Sequence, residues 1–180
     1  MDNQRVRLTK RLLKEALISL MQTTPFDRIT VKKLCEEAGI NRTTFYLHYT
    51  DTEKRLTEIE DDLIGFAISI VNDHIVGNPS SSEIFSLLNF VQANLLTFKT
   101  LLSFEGSDSF VQRSADEIVK SIKERFPETV PNEKKELLMH FALVGALALI
   151  HEWVNSDLRL MPEEMAEILD KMYHCIIQTT

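Results

Sequence analysis

The stretch ITVKKLCEEAGINRTTFYLHYT, residues 29–50, contains two short helical patterns separated by a single glycine. Thr30 stands before the first pattern and Gly39 directly after it. Threonine is a favourable helix N-cap, and glycine is the commonest residue just beyond a helix C-terminus. Asn41 can cap a second helix that runs to about His48. The stretch therefore predicts a helix, a tight turn and a second short helix.

A helix-turn-helix places the N-terminal part of its second helix in the major groove of DNA, while its first helix crosses the backbone. The second predicted helix opens with Arg42, Thr43 and Thr44, whose guanidinium and hydroxyl groups can bond to base edges. Ile40 and Phe45 are expected to face inward. The side chains that suit phosphate and sugar contacts are Thr30, Tyr46 and His48.

The charge of the chain is divided unevenly between its two ends. The 180 residues carry a net charge of −7, but residues 1–55 hold eleven Lys and Arg against seven Asp and Glu. Residues 56–180 hold nine against twenty. A basic N-terminal part on an acidic remainder is expected when only the first part approaches phosphates.

Composition and periodicity both favour an all-α fold. Hydrophobic residues make up 44% of the chain, glycine and proline are few, and the alternation typical of strands is scarce. Beyond the helix-turn-helix we predict a first helix that starts near Arg5 and a fourth that Asp51 caps. Further helices are predicted at about 83–100, 109–126, 132–154 and from Pro162 onward.

The longer stretch ITVKKLCEEAGINRTTFYLHYTDTEKRL, residues 29–56, resembles the DNA-binding signature of the TetR (tetracycline-repressor) family. The resemblance covers residues 5 to about 60. It implies a three-helix helix-turn-helix domain in residues 1–50 and a helical effector-binding and dimerisation domain in residues 51–180. It also implies a homodimer that binds a palindromic double-stranded DNA operator and is released by a small-molecule effector. The DNA contacts that it carries over are Thr30, Arg42, Thr43, Thr44, Tyr46, His48 and Tyr49.

The sequence departs from the family pattern at the end of this stretch. Similar members often carry basic residues at the positions of Leu47, Thr50 and Thr52. In those members, the basic residue at the position of Thr52 binds a phosphate. Lys54 is the candidate replacement for that contact. Because each phosphate that a protein leaves unneutralised lowers the salt dependence of binding, we expect this segment to hold DNA less tightly than usual.

Two apolar helices near the C-terminus could bury their surfaces inside one chain or between two chains. Small residues in the first helix permit a close helix approach, and the second carries an apolar stripe. On the residues alone, both could complete the core of a single chain. The resemblance favours an interface, because half-sites about one helical turn apart require a dimer. The expected interface residues are Gly145, Ala148, Met165, Ile168, Leu169, Met172 and Ile176.

The apolar residues of the predicted fourth to seventh helices exceed what a slim bundle needs, and they are candidates for lining an effector pocket. Each of them could equally be plain core. Asn94 and His140 are the polar groups that would orient a ligand. The expected lining is Phe66, Phe90, Asn94, Phe98, Phe104, Phe110, His140 and Phe141.

Other classes of function find little support in the sequence. There is no glycine-rich phosphate loop, no nucleophile motif and no metal-binding spacing among the five histidines, so we expect neither an enzyme nor a cofactor or metal site. Cys35 and Cys175 are far apart and suit reduced thiols in the cytoplasm. The N-terminus lacks the apolar core of a signal peptide, and residues 137–150 predict a buried helix and no membrane partner.

Three hypotheses follow from these features. The first is a transcriptional regulator, most simply a repressor, that an effector releases from its operator. The alternative is a regulator or activator whose C-terminal domain binds a partner protein in place of a small molecule. The third is a helical ligand-binding protein or enzyme that never touches DNA, for which the basic N-terminal part would be accidental.

Overall fold

The structure is a computed structural model that describes residues 2–76, 81–103, 107–125, 128, 132–156 and 158–177. These residues form nine α-helices and a 3-10 turn at Phe26–Arg28, with no strand among them. The helices are α1 Asp2–Met21, α2 Val31–Ala38, α3 Arg42–Tyr46, α4 Thr52–Val76, α5 Ser81–Ala93, α6 Leu95–Ser103, α7 Ser107–Arg125, α8 Glu133–Asn155 and α9 Pro162–Ile177. The predicted all-α fold is confirmed.

The chain divides into two compact units, and the boundary between them falls between Leu63 and Ile64, inside α4. The predicted domain boundary at residues 50 and 51 lies just before Thr52, where α4 begins. The assignment of residues 1–50 to DNA binding and of residues 51–180 to effector binding and dimerisation stays a prediction.

The first unit is built around side chains that its four helices turn inward. α1 packs against α2, and α2 packs against α3. Burying an aliphatic or aromatic side chain of this size contributes about 1.5–3 kcal/mol. The helices are therefore held by their apolar faces. The fully buried side chains are Leu13, Leu17, Leu34, Phe45 and Ile59.

The second unit is a bundle in which α5 packs against α9, α7 against α8, and α8 against α9. One buried cluster joins Ile118, Val119 and Ile122 of α7 to Met139 of α8. Residues of α4 also pack on this cluster, among them Ile68. The spacing of the three α7 residues places them on one face of that helix, as expected for a helix that is covered on one side.

The single helix predicted over residues 83–100 is wrong in one respect, because the structure contains two helices that meet at Asn94. The Asn94 side chain donates from Nδ2 to the carbonyl oxygen of Phe90 at 3.0 Å, and its backbone N–H also reaches Val91. Asparagine side chains compete in this way with regular helical hydrogen bonding. The break is confined to this residue, because the Asn94 N–H still donates to the Phe90 carbonyl at 3.0 Å and the Phe98 N–H donates to the Asn94 carbonyl at 3.1 Å.

Candidate nucleic-acid interface

The first helix of the helix-turn-helix is closed at both ends by local hydrogen bonds. Thr30 is the N-cap of α2, and its Oγ1 accepts from the backbone N–H of Lys33 at 3.2 Å. At the other end Gly39 adopts a φ of 64°, the left-handed region that favours glycine. The Ile40 N–H then donates to the Cys35 carbonyl at 2.9 Å. These caps confirm the predicted ends of α2 and fix the turn that follows.

The second helix, α3, is short and is anchored by one aromatic residue. Asn41 is its N-cap, and the Asn41 Oδ1 accepts from the Thr43 N–H at 2.8 Å. Phe45 is fully buried, which sets the rotation of the helix. Arg42 and Thr43 are therefore exposed, and Thr44 is half-buried. The three residues predicted to read bases thus lie in the first turn of a helix whose other side is fixed in the core.

The side chains predicted to meet phosphates are also accessible. Tyr46 is 58% exposed, and its ring stands edge-on to Phe45 with the ring centroids 5.5 Å apart. His48 is half-buried, while Thr30 and Lys54 are exposed. Their contacts with DNA stay a prediction, but each has a polar group that solvent can reach.

Tyr49 is a correction to the predicted set of DNA contacts, because it is only 5% exposed. Its ring centroid lies 5.6 Å from that of Phe45, and the Arg55 guanidinium lies 5.3 Å from the Tyr49 centroid. The Tyr49 hydroxyl donates to the Glu58 carboxylate. Tyr49 follows α3 after a turn, so its side chain points into the unit and joins the core.

Glu58 accepts hydrogen bonds from three parts of the first unit. The donors are Lys10 Nζ of α1, the Tyr49 hydroxyl after α3, and Arg55 Nη1 of α4 at 2.8 Å. Arg55 is 2% exposed, and its Nη2 donates to the Lys10 carbonyl at 3.0 Å. We call these four residues the Glu58 cluster. Through these hydrogen bonds, Tyr49, which follows α3, is connected to both α1 and α4.

The pKa values of the cluster follow from its burial and its hydrogen bonds. Burial raises the pKa of Tyr49, and the bond to Glu58 raises it further. Burial alone would raise the pKa of Glu58, but the hydrogen bonds from Lys10 and Tyr49 and the charge of Arg55 outweigh burial and lower it. Glu58 is therefore held as a carboxylate at neutral pH.

Acid is expected to weaken the first unit through Glu58. Because its pKa in the folded chain lies below the ordinary value of 4.5, the carboxylate contributes full stability above that value. This contribution is lost as the pH falls through the pKa of the folded state. In thermal unfolding, the wild type should have a higher Tm than Glu58→Gln at pH 7, and the difference should narrow as the pH falls below 4.5 and Glu58 takes up a proton. Glu53→Gln, an exposed change in α4, is the control; a wild-type to Glu58→Gln difference that is constant with pH would contradict the assignment.

Sequence reasoning missed the Glu58 cluster. The only local signal is the spacing of Arg55 and Glu58, three residues apart on one helix. Lys10 and Tyr49 lie 48 and 9 residues away from Glu58 in the sequence. Their convergence depends on how the helices pack, which periodicity does not specify.

Several of the predicted effector-pocket residues contact one another within the second unit. Phe66 and Phe90 are stacked with centroids 3.9 Å apart, and Phe90 meets Phe98 edge-on at 6.0 Å. Phe110 is buried, and the Asn94 amide is engaged with the Phe90 carbonyl. Phe104 lies outside the described residues. Three phenylalanines are thus brought together, and they pack on one another.

His140 and Phe141 lie elsewhere on α8. His140 Nε2 is 3.0 Å from Gln112 Nε2, and its Nδ1 is 3.5 Å from an Asp116 oxygen, in a polar groove of about 430 Å³ between α7 and α8. Phe141 is 64% exposed, which corrects its assignment to an enclosed pocket. The cause is that α8 is apolar on nearly every side, and the chain covers only part of it. Within the described ranges, no three His, Cys, Asp or Glu side chains could hold a metal ion.

The predicted dimer-interface residues separate into two groups. Met165 and Leu169 are buried within the chain, which corrects their assignment, because α9 packs against both α5 and α8. Gly145 faces Met172, whose Cε lies 3.5 Å from the position of an added Cβ. The members that remain accessible are Ala148 and Ile168, and the side chain of Ile176 lies outside the described part.

The exposed face of α8 corrects the prediction that residues 137–150 are a buried helix. Leu137 and Phe141 are each 64% exposed, and Ala148 is exposed on the same face. Among the described helices, α8 is long and apolar enough to cross a membrane by length and composition. Helices that lie in protein cores and interfaces also meet this test. The face is an apolar surface without a cover in the single chain.

An all-α chain with a capped N-terminal helix-turn-helix is the architecture of solved transcriptional-regulator structures. A family model described as "Transcriptional regulator C-terminal region", of the TetR type, matches residues 81–175, more than half of the chain. The chain therefore belongs to the TetR family of transcriptional regulators, as the resemblance in residues 29–56 predicted.

The chain is similar to the "Uncharacterized HTH-type transcriptional regulator YxbF" of Bacillus subtilis (strain 168), with 23% identity over 163 residues. The match covers 86% of this chain and 42% of that relative, so the chain spans less than half of the relative's length. Two solved structures share the fold. A TetR transcriptional regulator from Streptococcus agalactiae 2603V is 22% identical, with 95% and 96% of the two chains covered and a TM-score of 0.63. The "Dihydroxyacetone kinase operon activator DhaS" is 16% identical, with 95% and 97% covered and a TM-score of 0.60.

Proposed function

We propose that this regulator binds a palindromic operator in the cytoplasm as a homodimer, with one α3 in the major groove of each half-site. The observation that carries the proposal is the orientation of α3. Its Phe45 is fully buried, while Arg42 and Thr43 point outward from the first turn. An arginine there can bond to O6 and N7 of guanine, and threonine can use its hydroxyl or its methyl group.

The two-fold symmetry of a palindrome requires two helix-turn-helix units, one from each subunit, and we call each of them a reading head. The apolar face of α8 offers a surface that could join the two subunits. We define this α8 face as Leu137, Phe141 and Ala148, which lie along one side of the helix. Burying such a face against its copy removes apolar surface from water, which is the main driving force for a stable dimer. Ile168 of α9, 39% exposed, could extend the contact.

The α8 face can be tested by a charge at its centre. Phe141→Asp should weaken dimerisation at least a hundredfold, because two phenylalanines worth about 1.5–3 kcal/mol each leave the interface and two carboxylates enter it. Sedimentation velocity over a range of concentrations would report the change. The matched control is Leu96→Asp, which places the same charge at an exposed apolar residue of α6 (53% exposed) and should leave the dimer intact. A Phe141→Asp variant that remains dimeric would exclude this face.

Release by an effector is the second part of the proposal. α4 is one continuous helix that runs from the first unit into the second, so a ligand that moves its C-terminal half could alter the position of the reading head. The regulator would then be a repressor. Its effector would bind more tightly to a dimer whose two reading heads have moved apart or together than to the dimer that fits the operator.

One observation favours the alternative in which a partner protein provides the signal. The Phe66 and Phe90 rings stack with their centroids 3.9 Å apart, and Phe98 is only 6% exposed, so a small molecule that lay between these rings would have to separate them. DhaS, whose name describes an operon activator, also has this fold. A ligand that stabilises the chain against heat, with the effect lost in Phe90→Ala, would favour the small-molecule mechanism.

Selection of bound duplexes from a random pool tests the central proposal. The wild-type chain should enrich an inverted repeat with half-sites about one helical turn apart, and two subunits should bind each duplex. A pool that shows no sequence enrichment, or that enriches a single unpaired half-site, would overturn it.

A further inference from the structure

A groove on the first turns of α1 carries an unusual concentration of arginine. Its volume is about 590 Å³. Among the residues whose side chains are described, its lining is Gln4, Arg5, Arg7, Leu8 and Arg11. We call the three arginines the α1 arginines. Arg11 lies 3.8 Å from Glu15 in an exposed pair, which contributes little. Arg5 and Arg7 make no ion pair within the part of the chain whose side chains are described.

The direction of α1 places these arginines at the same end of the unit as the start of α4. Lys10 of α1 bonds to Glu58 of α4. One turn further along both helices, burial and the charge of Arg55 lower the pKa of Lys14, and the charge of Asp62 opposes them. The two helices therefore advance in the same direction. Their first turns lie at one end, where α4 follows directly on the reading helix.

The first turn of α4 offers little positive charge to DNA. Thr50 and Thr52 stand at the positions where basic residues were expected, and Asp51 and Glu53 are exposed acids beside them. Arg55, the nearest arginine, is 2% exposed and is committed to Glu58. A duplex that approaches α3 therefore gains few phosphate contacts from α4 apart from Lys54.

We propose that the α1 arginines form a second DNA-binding surface, which holds the phosphates that flank the half-site read by α3. The inference rests on the DNA binding proposed above. Guanidinium groups bind phosphate oxygens in pairs of parallel hydrogen bonds, and three of them around one groove can hold neighbouring phosphates of a strand. Such contacts add affinity without sequence preference.

The test is a salt titration of duplex binding by the full chain with all three α1 arginines changed to glutamine. The matched control changes three exposed basic residues of the second unit, Lys134, Arg159 and Lys171, to glutamine and so removes the same charge. Affinity would be measured by fluorescence anisotropy on the selected duplex and on a scrambled duplex. Circular dichroism would verify that the helices are retained in both variants.

The expected result is a salt slope that falls by about 0.9 for each phosphate that is no longer neutralised, or by up to about 3 for each bound head. Both duplexes should lose affinity by the same factor, and the control variant should keep the wild-type slope. A triple variant with the slope of the control would overturn the inference. So would a loss of affinity confined to the selected duplex, which would mean that the arginines read sequence.

The outcome separates this inference from the proposed function. If the wild type prefers an inverted repeat and the triple variant keeps its slope, the α1 surface fails and the operator proposal stands. If the wild type shows no sequence preference but its slope falls in the triple variant, the operator proposal fails and the α1 arginines remain a DNA-binding surface.

Discussion

Glu58→Ala is expected to destabilise the first unit by about 3 kcal/mol, the largest effect on stability that we predict for a residue outside the apolar core. The substitution leaves the Arg55 guanidinium at 2% exposure without its carboxylate and leaves the Tyr49 hydroxyl without its acceptor. A charge that remains buried after its partner is removed costs more than the pair contributed. Glu58 keeps 29% of its side chain exposed, so the destabilisation should fall at the lower end of the range for buried pairs.

Urea unfolding followed by circular dichroism would measure this destabilisation. Glu53→Ala, an exposed change in the same helix, should alter the free energy of unfolding by less than about 0.5 kcal/mol. The double variant Arg55→Met with Glu58→Leu removes both charges and should recover most of the stability. If Glu58→Ala behaves like Glu53→Ala, the cluster does not hold the unit together. If the double variant is no more stable than the single one, the unpaired charge of Arg55 is not the cause of the destabilisation.

The ends of α2 and the start of α3 could be predicted because hydrogen bonds between residues close in sequence determine them. Thr30, Gly39 and Asn41 act within four residues of their own positions, and the structure has each in its predicted role. Phe45 was also expected to face inward, since a five-residue helix with one large apolar side chain has only one way to bury it. Sequence is informative wherever the partner group lies in the same turn.

Tyr49 was placed wrongly although its local geometry is close to helical. α3 ends at Tyr46, but the Tyr49 N–H still donates to the Phe45 carbonyl at 3.0 Å, so Tyr49 lies one turn after the buried Phe45 and on the same side. Its direction is also set by Glu58 and Arg55, which reach it from the next helix. The family resemblance placed Tyr49 among the DNA contacts, whereas its spacing of four residues from Phe45 and the packing of α4 both make it a core residue.

The second unit was harder to predict for a related reason. α8 is apolar on most sides, so its periodicity does not indicate which side the chain covers. Met165 and Leu169 were candidates for an interface because they form a stripe, but both are buried in a chain whose α9 packs against α5 and α8. Phe141 was a candidate for the interior and is exposed. The choice between core and interface depends on partners distant in sequence.

Arg42→Ala is expected to abolish most of the preference for the operator while leaving the fold intact. Arg42 is exposed, so the free energy of unfolding should change by no more than about 0.5 kcal/mol. Removing a bidentate hydrogen-bond pair to a base costs about 1–3 kcal/mol at each half-site. In a dimer both heads are affected, and the operator affinity should fall by about 2–6 kcal/mol. Binding to a scrambled duplex should weaken far less, because only one charge of each head is removed.

Lys32→Ala is the matched comparison, because Lys32 is an exposed basic residue on α2 and carries the same charge as Arg42. Any bond that it makes to DNA would be to phosphate, so its removal should affect the operator and the scrambled duplex equally. A duplex with one half-site adds a second contrast. If the two subunits read the two halves of one palindrome, Arg42→Ala should reduce the binding free energy for the full operator about twice as much as for the half-site duplex. Equal costs on both duplexes would mean that one head does the reading, and an Arg42→Ala variant with the wild-type preference would remove α3 from base recognition altogether.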